Sequence, residues 1–260
     1  MTSLAALLLA ATTLGLLGER ADLIRCGGDL SEGVLINRTP GSGQTDAIDS
    51  ARPTVVFIHG YNPMPRTVHF EMAQRLAEAI GRRPGGCLFN VLDWDWNAAT
   101  VAGLRVSTNT EAAVAQGPLL AGALLRAGVE PGRIHLIGHS AGSIVAASAA
   151  QSLARTRGAV VAQVTFLEPA AFYHAVLFER LAAGSSATKV ENYWADGPSG
   201  YGQFAPYGVV TNACVQGPTP WLGVLMPMRS GHLDIVRWYV STAEHPECPL
   251  GFNASVLLDR

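Results

Sequence analysis

Charge is scarce in this chain, and lysine is scarcer still. Asp, Glu, Lys and Arg make up 15% of its 260 residues, Lys189 is the single lysine, and the net charge is −2. Average domains carry about 25% charged residues. No basic stripe or run is present, which excludes the electrostatic footprint of a nucleic-acid binder and gives no field for an anionic membrane. Only four cysteines occur, Cys26, Cys87, Cys214 and Cys248, with no C-x-x-C spacing and no histidine pair at zinc spacing, so a metal centre is not expected. Their even number fits one or two disulfides, with Cys214 and Cys248 the expected pair, and equally fits buried thiols. P-loop, dinucleotide fingerprint, H-E-x-x-H helix and internal repeats are missing as well, so no cofactor is implied.

What the chain has in excess is apolar sequence, at 48%. Residues 4–17 are an apolar run closed by Glu19-Arg20. It resembles the core of a signal peptide and is short for a membrane span. Residues 1–20 are therefore read as a signal-like leader and the protein as secreted or extracytoplasmic, although the first three residues carry no Lys or Arg. Residues 21–260 suit one domain with a full core.

Within that domain, short β-branched and aromatic runs at 54–58, 88–92, 134–137, 160–167 and 190–194 alternate with helical periods at 68–80, 111–125, 172–181 and 232–240. A further helix follows Gly142, and Gly117-Pro118 is expected to interrupt the helix over 111–125. Before Arg52 a strand or two at the sheet edge is expected. Strands alternating with helices predict an α/β, doubly wound, mostly parallel sheet flanked by helices. Residues 197–231, rich in Gly, Pro and aromatics, read as a short lid-like cover. Asp93-Trp94-Asp95-Trp96 reads either as a binding rim or as core packing, the latter preferred for Trp94.

The chain is organised around Gly138-His139-Ser140-Ala141-Gly142, between an apolar run and a small-residue helix. This is the context a G-x-S-x-G nucleophile elbow requires: strand, strained serine turn, helix. A serine hydroxyl needs a base within reach and an acid that orients the base. His232 is the best base, late in the chain, at the start of the expected helix, and in the Ser, acid, His order of α/β-hydrolases. His139 is locked in the turn, and His59 reads as a support for the loop that follows it. Two carboxylates at strand ends compete for the acid, Glu168 and Asp196, and spacing does not decide between them. Backbone amides of Tyr61 and Ala141 are placed to form an oxyanion hole.

The motifs Phe57-Ile58-His59-Gly60-Tyr61, Leu92-Asp93-Trp94, Ile134 to Gly142, Phe166-Leu167-Glu168-Pro169-Ala170 and His232-Leu233 with Trp238-Tyr239 resemble, in order, those of the pancreatic-type lipase family. The resemblance covers about residues 54–245. It implies an α/β-hydrolase fold and a serine lipase or esterase acting through an acyl-enzyme on lipid or small acyl esters. It also implies Glu168 as triad acid, where the family has Asp, with Asp196 the alternative. The expected partners are an acyl-ester or lipid substrate and a transient lipid interface, with no nucleic acid and no obligate protein. The rival expectations are acyl transfer or amide cleavage by the same triad, and a catalytically silent fold that binds a lipid or protein.

Overall fold

The computed structural model describes residues 24–25, 33–44, 46–61, 68–84, 88–101, 106–169, 183–195, 202–205, 211–215 and 227–258. The leader, Cys26, Cys87, the helix expected over 172–181 and Asp196 lie outside the described residues. Eight strands make one sheet: β1 (Ile24–Arg25), β2 (Val34–Asn37), β3 (Thr54–Ile58), β4 (Asn90–Asp95), β5 (Ile134–His139), β6 (Val161–Leu167), β7 (Ala187–Ala195) and β8 (Thr211–Val215). Their order is β1-β2-β4-β3-β5-β6-β7-β8. At one end of the sheet β1 and β2 run antiparallel to their neighbours, and β4, β3, β5, β6, β7 and β8 are parallel. The central strands are buried on both faces, which is why they read as continuous apolar runs. Within the segment read as lid-like, Thr211–Val215 is a sheet strand.

Alternation along each strand sorts side chains onto two cores. Val56, Ile58 and Leu136 pack beneath α3 (Val106–Arg126) and α4 (Gly142–Arg157). Val55, Phe57 and Ile137 pack beneath α1 (Val68–Gly81) and α6 (Pro227–Glu244). Two short helices, α2 (Asn97–Val101) and α5 (Ala183–Ser186), complete the α-helices among the described residues. The sheet is therefore doubly wound.

Pro118 does not interrupt α3, contrary to the expectation. Proline has no N–H for the Val114 carbonyl four residues back. The Ser148 hydroxyl of α4 donates to that carbonyl instead, at 2.8 Å. Gly117 lets α4 come this close, since a Cβ there would lie 2.3 Å from Ser148.

β4 runs three residues further than its apolar run, through Asp93 and Trp94 to Asp95. Trp94 and Trp96 are both fully buried, so the Asp-Trp pair is core and not a rim. The indole that finds a partner is Trp96, whose Nε1–H donates to the His59 carbonyl at 2.7 Å. Asp93 pairs with Arg38 at 3.3 Å, and burial still raises its carboxyl to about 6.

Cys214 and Cys248 are not bridged. Cys214 stands opposite Trp194, while its neighbour Ala213 stands opposite Tyr193, which packs on the α6 face. Alternation thus turns Cys214 to the other face of the sheet, away from the chain that follows α6.

Beneath α6 the same alternation collects a buried polar cluster. Lys189 Nζ lies 2.8 Å from Glu191 Oε1 and donates to the Ala254 carbonyl at 2.6 Å. Gln163 and Thr165 donate to Glu191 Oε2 at 2.8 and 3.3 Å. His135 bridges Thr165 at 2.8 Å and Ser255 at 3.0 Å. Its burial lowers the imidazole to about 3, so it stays neutral. Losing one partner of a buried pair strands the other, at a cost of about 3–5 kcal/mol. Lys189→Met is expected to lower the unfolding free energy by about 3 kcal/mol, read as a fall in urea midpoint at unchanged slope.

Candidate active site

Ser140 follows the last residue of β5 with φ of 53°. Among the described residues only Glu168, at φ 50°, shares a positive φ without being glycine. That region costs a non-glycine residue about 1–3 kcal/mol and concentrates at functional sites. Neighbouring backbone holds both turns: the Ser140 N–H donates to Leu167 O at 2.9 Å, and the Glu168 N–H to Tyr193 O at 2.8 Å. The flanking glycines are required by close approach. A Cβ on Gly138 would lie 2.5 Å from Gly142 O, and one on Gly142 would lie 2.3 Å from Ile58 O. Ser140 is half-buried at the start of α4, whose first amides have no helical acceptor before them and favour negative charge.

The loop after β3 runs beside this turn. A Cβ on Gly60 would sit 2.7 Å from Ser140 Cβ, which brings the half-buried Tyr61 to the elbow. His59 braces that loop, as the sequence suggests. Its Nδ1 lies 2.7 Å from Gly60 O, and its Nε2 receives the Trp96 N–H at 3.2 Å. A carbonyl only accepts, so Nδ1 carries a proton. Trp96 stacks on it, with centroids 5.7 Å apart. The Ala141 N–H, one residue after the serine, opens α4 on the same side.

Glu168 ends β6, one strand over. Its side chain is fully buried, with Oε2 accepting the Ala195 N–H at 2.7 Å and Oε1 the Gly202 N–H at 3.2 Å. Two backbone donors fix the carboxylate at the same carboxyl edge of the sheet as Ser140. Asn192 and Asn212 fasten residues 202–205 in turn: Asn192 donates to Gln203 O at 2.9 Å, and Asn212 exchanges bonds with Ala205 at 2.9 and 2.8 Å.

His232 lies in the second turn of α6, not at its first residue. The helix starts five residues earlier, at Pro227, where a fixed φ and a missing N–H suit the first helical position. The His232 ring packs against that of His139, centroids 4.6 Å apart and tilted 44°. His139 Nε2 lies 2.8 Å from the His232 carbonyl. Burial lowers the His232 imidazole to about 4, so it is an unprotonated acceptor at neutral pH.

The structure thus brings Ser140, Tyr61, Ala141, Glu168 and His232 to one edge of the sheet. Two contributions were not anticipated. One is the clasp on Glu168 from Ala195 and Gly202, which depends on a fold-level approach with no sequence signature. The other is His139, and here a signal existed. With His135 and Ile137 it shares the β5 face that looks toward α6. Among the described residues no three His, Cys, Asp or Glu side chains converge as metal ligands, and no helix is long and apolar enough to cross a membrane.

No family profile matches the sequence, and no curated protein matches it. Solved structures do resemble it. An esterase from Pyrobaculum calidifontis is 17% identical, with a TM-score of 0.41 over 76% of this chain and 78% of that one. A carboxyl esterase from the fungus Tuber melanosporum is 12% identical, with a TM-score of 0.46 over 85% of each chain. An arylesterase is 14% identical, with a TM-score of 0.47 over 85% of this chain and 83% of that one. Strand order, parallel centre and a strand–serine–helix turn after β5 make this an α/β-hydrolase fold.

Proposed function

We propose that the protein is a serine carboxylic-ester hydrolase of lipase or esterase type. The observation that carries this reading is the Ser140 turn, a strained non-glycine residue wedged between backbone approaches that only glycine permits, with a half-buried neutral histidine against its neighbour. Ser140 Oγ attacks the ester carbonyl while His232 takes its proton. The amides of Tyr61 and Ala141 hold the oxyanion. Collapse expels the alcohol, which receives the proton from His232. Water then attacks the acyl-enzyme, with His232 again taking and returning the proton and Ser140 released. Glu168 orients the imidazole and stabilises its cation. Each oxyanion donor in comparable sites contributes about 10²- to 10³-fold.

The acyl or lipid character of the ester is part of the proposal. The resemblance to pancreatic-type lipases supports it, as does Phe204, an exposed aromatic two residues from the Gly202 amide that holds Glu168. Export and a transient lipid interface belong to the same reading.

The test is intact-protein mass after a fluorophosphonate, beside turnover of a short-chain p-nitrophenyl ester. One adduct per chain, mapped to Ser140, with turnover, is the expected result. No adduct in folded protein favours a silent binding fold. The pH dependence follows from burial of His232: its neutral form is the active one, so kcat/KM, which reports the free enzyme, is expected to hold as pH falls through 6 and to halve near the value of about 4 set by burial. An acid limb at the ordinary histidine value would contradict that.

A further inference from the structure

We propose that His139 is a positioning residue that sets the place of the His232 base. The inference rests on the serine-hydrolase reading above. A carbonyl oxygen only accepts, so the 2.8 Å contact between His139 Nε2 and the His232 carbonyl fixes the proton of His139 on Nε2. In a helix that carbonyl also takes the amide four residues on, and its second lone pair serves His139. The His139 ring then backs the His232 ring at 4.6 Å between centroids. Its other edge faces the oxyanion loop, since a Cβ on Gly60 would lie 3.4 Å from His139 Nδ1.

His139 is 1% exposed and ends β5, which is paired on both sides, so its ring is held rigidly. The bond from His139 ties the turn that carries His232 to the strand that carries Ser140, and it spans nucleophile, base and oxyanion loop from one side chain. A displacement of about 1 Å at such a site costs about 10²-fold.

The test compares His139→Gln, whose side-chain amide reaches as far as Nε2, with His139→Asn, which is one methylene shorter. Both are polar and open no large cavity. Expected are a kcat for His139→Gln within about threefold of the parent and a fall of about 10- to 100-fold for His139→Asn. KM is expected within about twofold of the parent in both, and fluorophosphonate labelling to slow in step with kcat. A fall of equal size in both, or in neither, overturns the positioning role. Labelling of the parent at Ser140 is read first. Its absence would sink the hydrolase reading, whereas a labelled parent with the two variants alike would sink only this inference.

Discussion

Ser140→Ala is expected to lower ester turnover by about 10⁵- to 10⁶-fold in kcat, with KM little changed, the size of loss found when the nucleophile of a serine triad is removed. The φ of 53° at Ser140 is held by its backbone bond to Leu167 O and not by the hydroxyl, so alanine is expected to fit the same half-buried turn. The variant should therefore fold as the parent does, and circular dichroism with a thermal midpoint within a few degrees is the control. The residual rate should stay above that in water, because the Tyr61 and Ala141 amides still hold the oxyanion. A loss of less than tenfold would place the nucleophile elsewhere.

Glu168→Ala is expected to cost about 10³- to 10⁴-fold in kcat, while Asp196→Ala stays within a few-fold of the parent. Removing the acid alone is the mildest of the triad deletions, about 10⁴-fold where it has been dissected. The reasoning lies in the burial of Glu168 and in the two backbone amides at 2.7 and 3.2 Å that point its carboxylate. Those amides lose their acceptor in the variant, at a cost of about 1–3 kcal/mol for each buried group left unsatisfied. Turnover must accordingly be measured well below the variant's unfolding midpoint. The reverse result, with Asp196→Ala inactive and Glu168→Ala active, would move the acid to the end of β7.

Much of this architecture was legible in the sequence where local pattern and tertiary demand agree. The strand Thr54–Ile58 has the bounds its β-branched run predicts, because a strand buried on both faces must be apolar at every residue. The elbow was legible because two close backbone approaches leave glycine as the residue that fits. Failures of the reading fall where a distant residue supplies what the local sequence lacks. α3 runs through Pro118 because Ser148, thirty residues on, satisfies the stranded carbonyl. β4 continues through Trp94 and Asp95 because β2 pairs with it there, and no window around residue 94 contains that partner. His232 was singled out by chain order and chemistry as standing at a helix start, but the helix begins five residues earlier, at Pro227. The strain at Glu168 has no local signature at all, since nothing in Leu167-Glu168-Pro169 announces a left-handed turn.

The paired turns have a consequence for how this molecule can be altered. Ser140 hangs from the last residue of β6, and Glu168 hangs from β7, so the spacing of these two residues is inherited from the separation of adjacent strands, about 4.8 Å per step. A single-residue insertion inside β6 would throw both turns out of register at once.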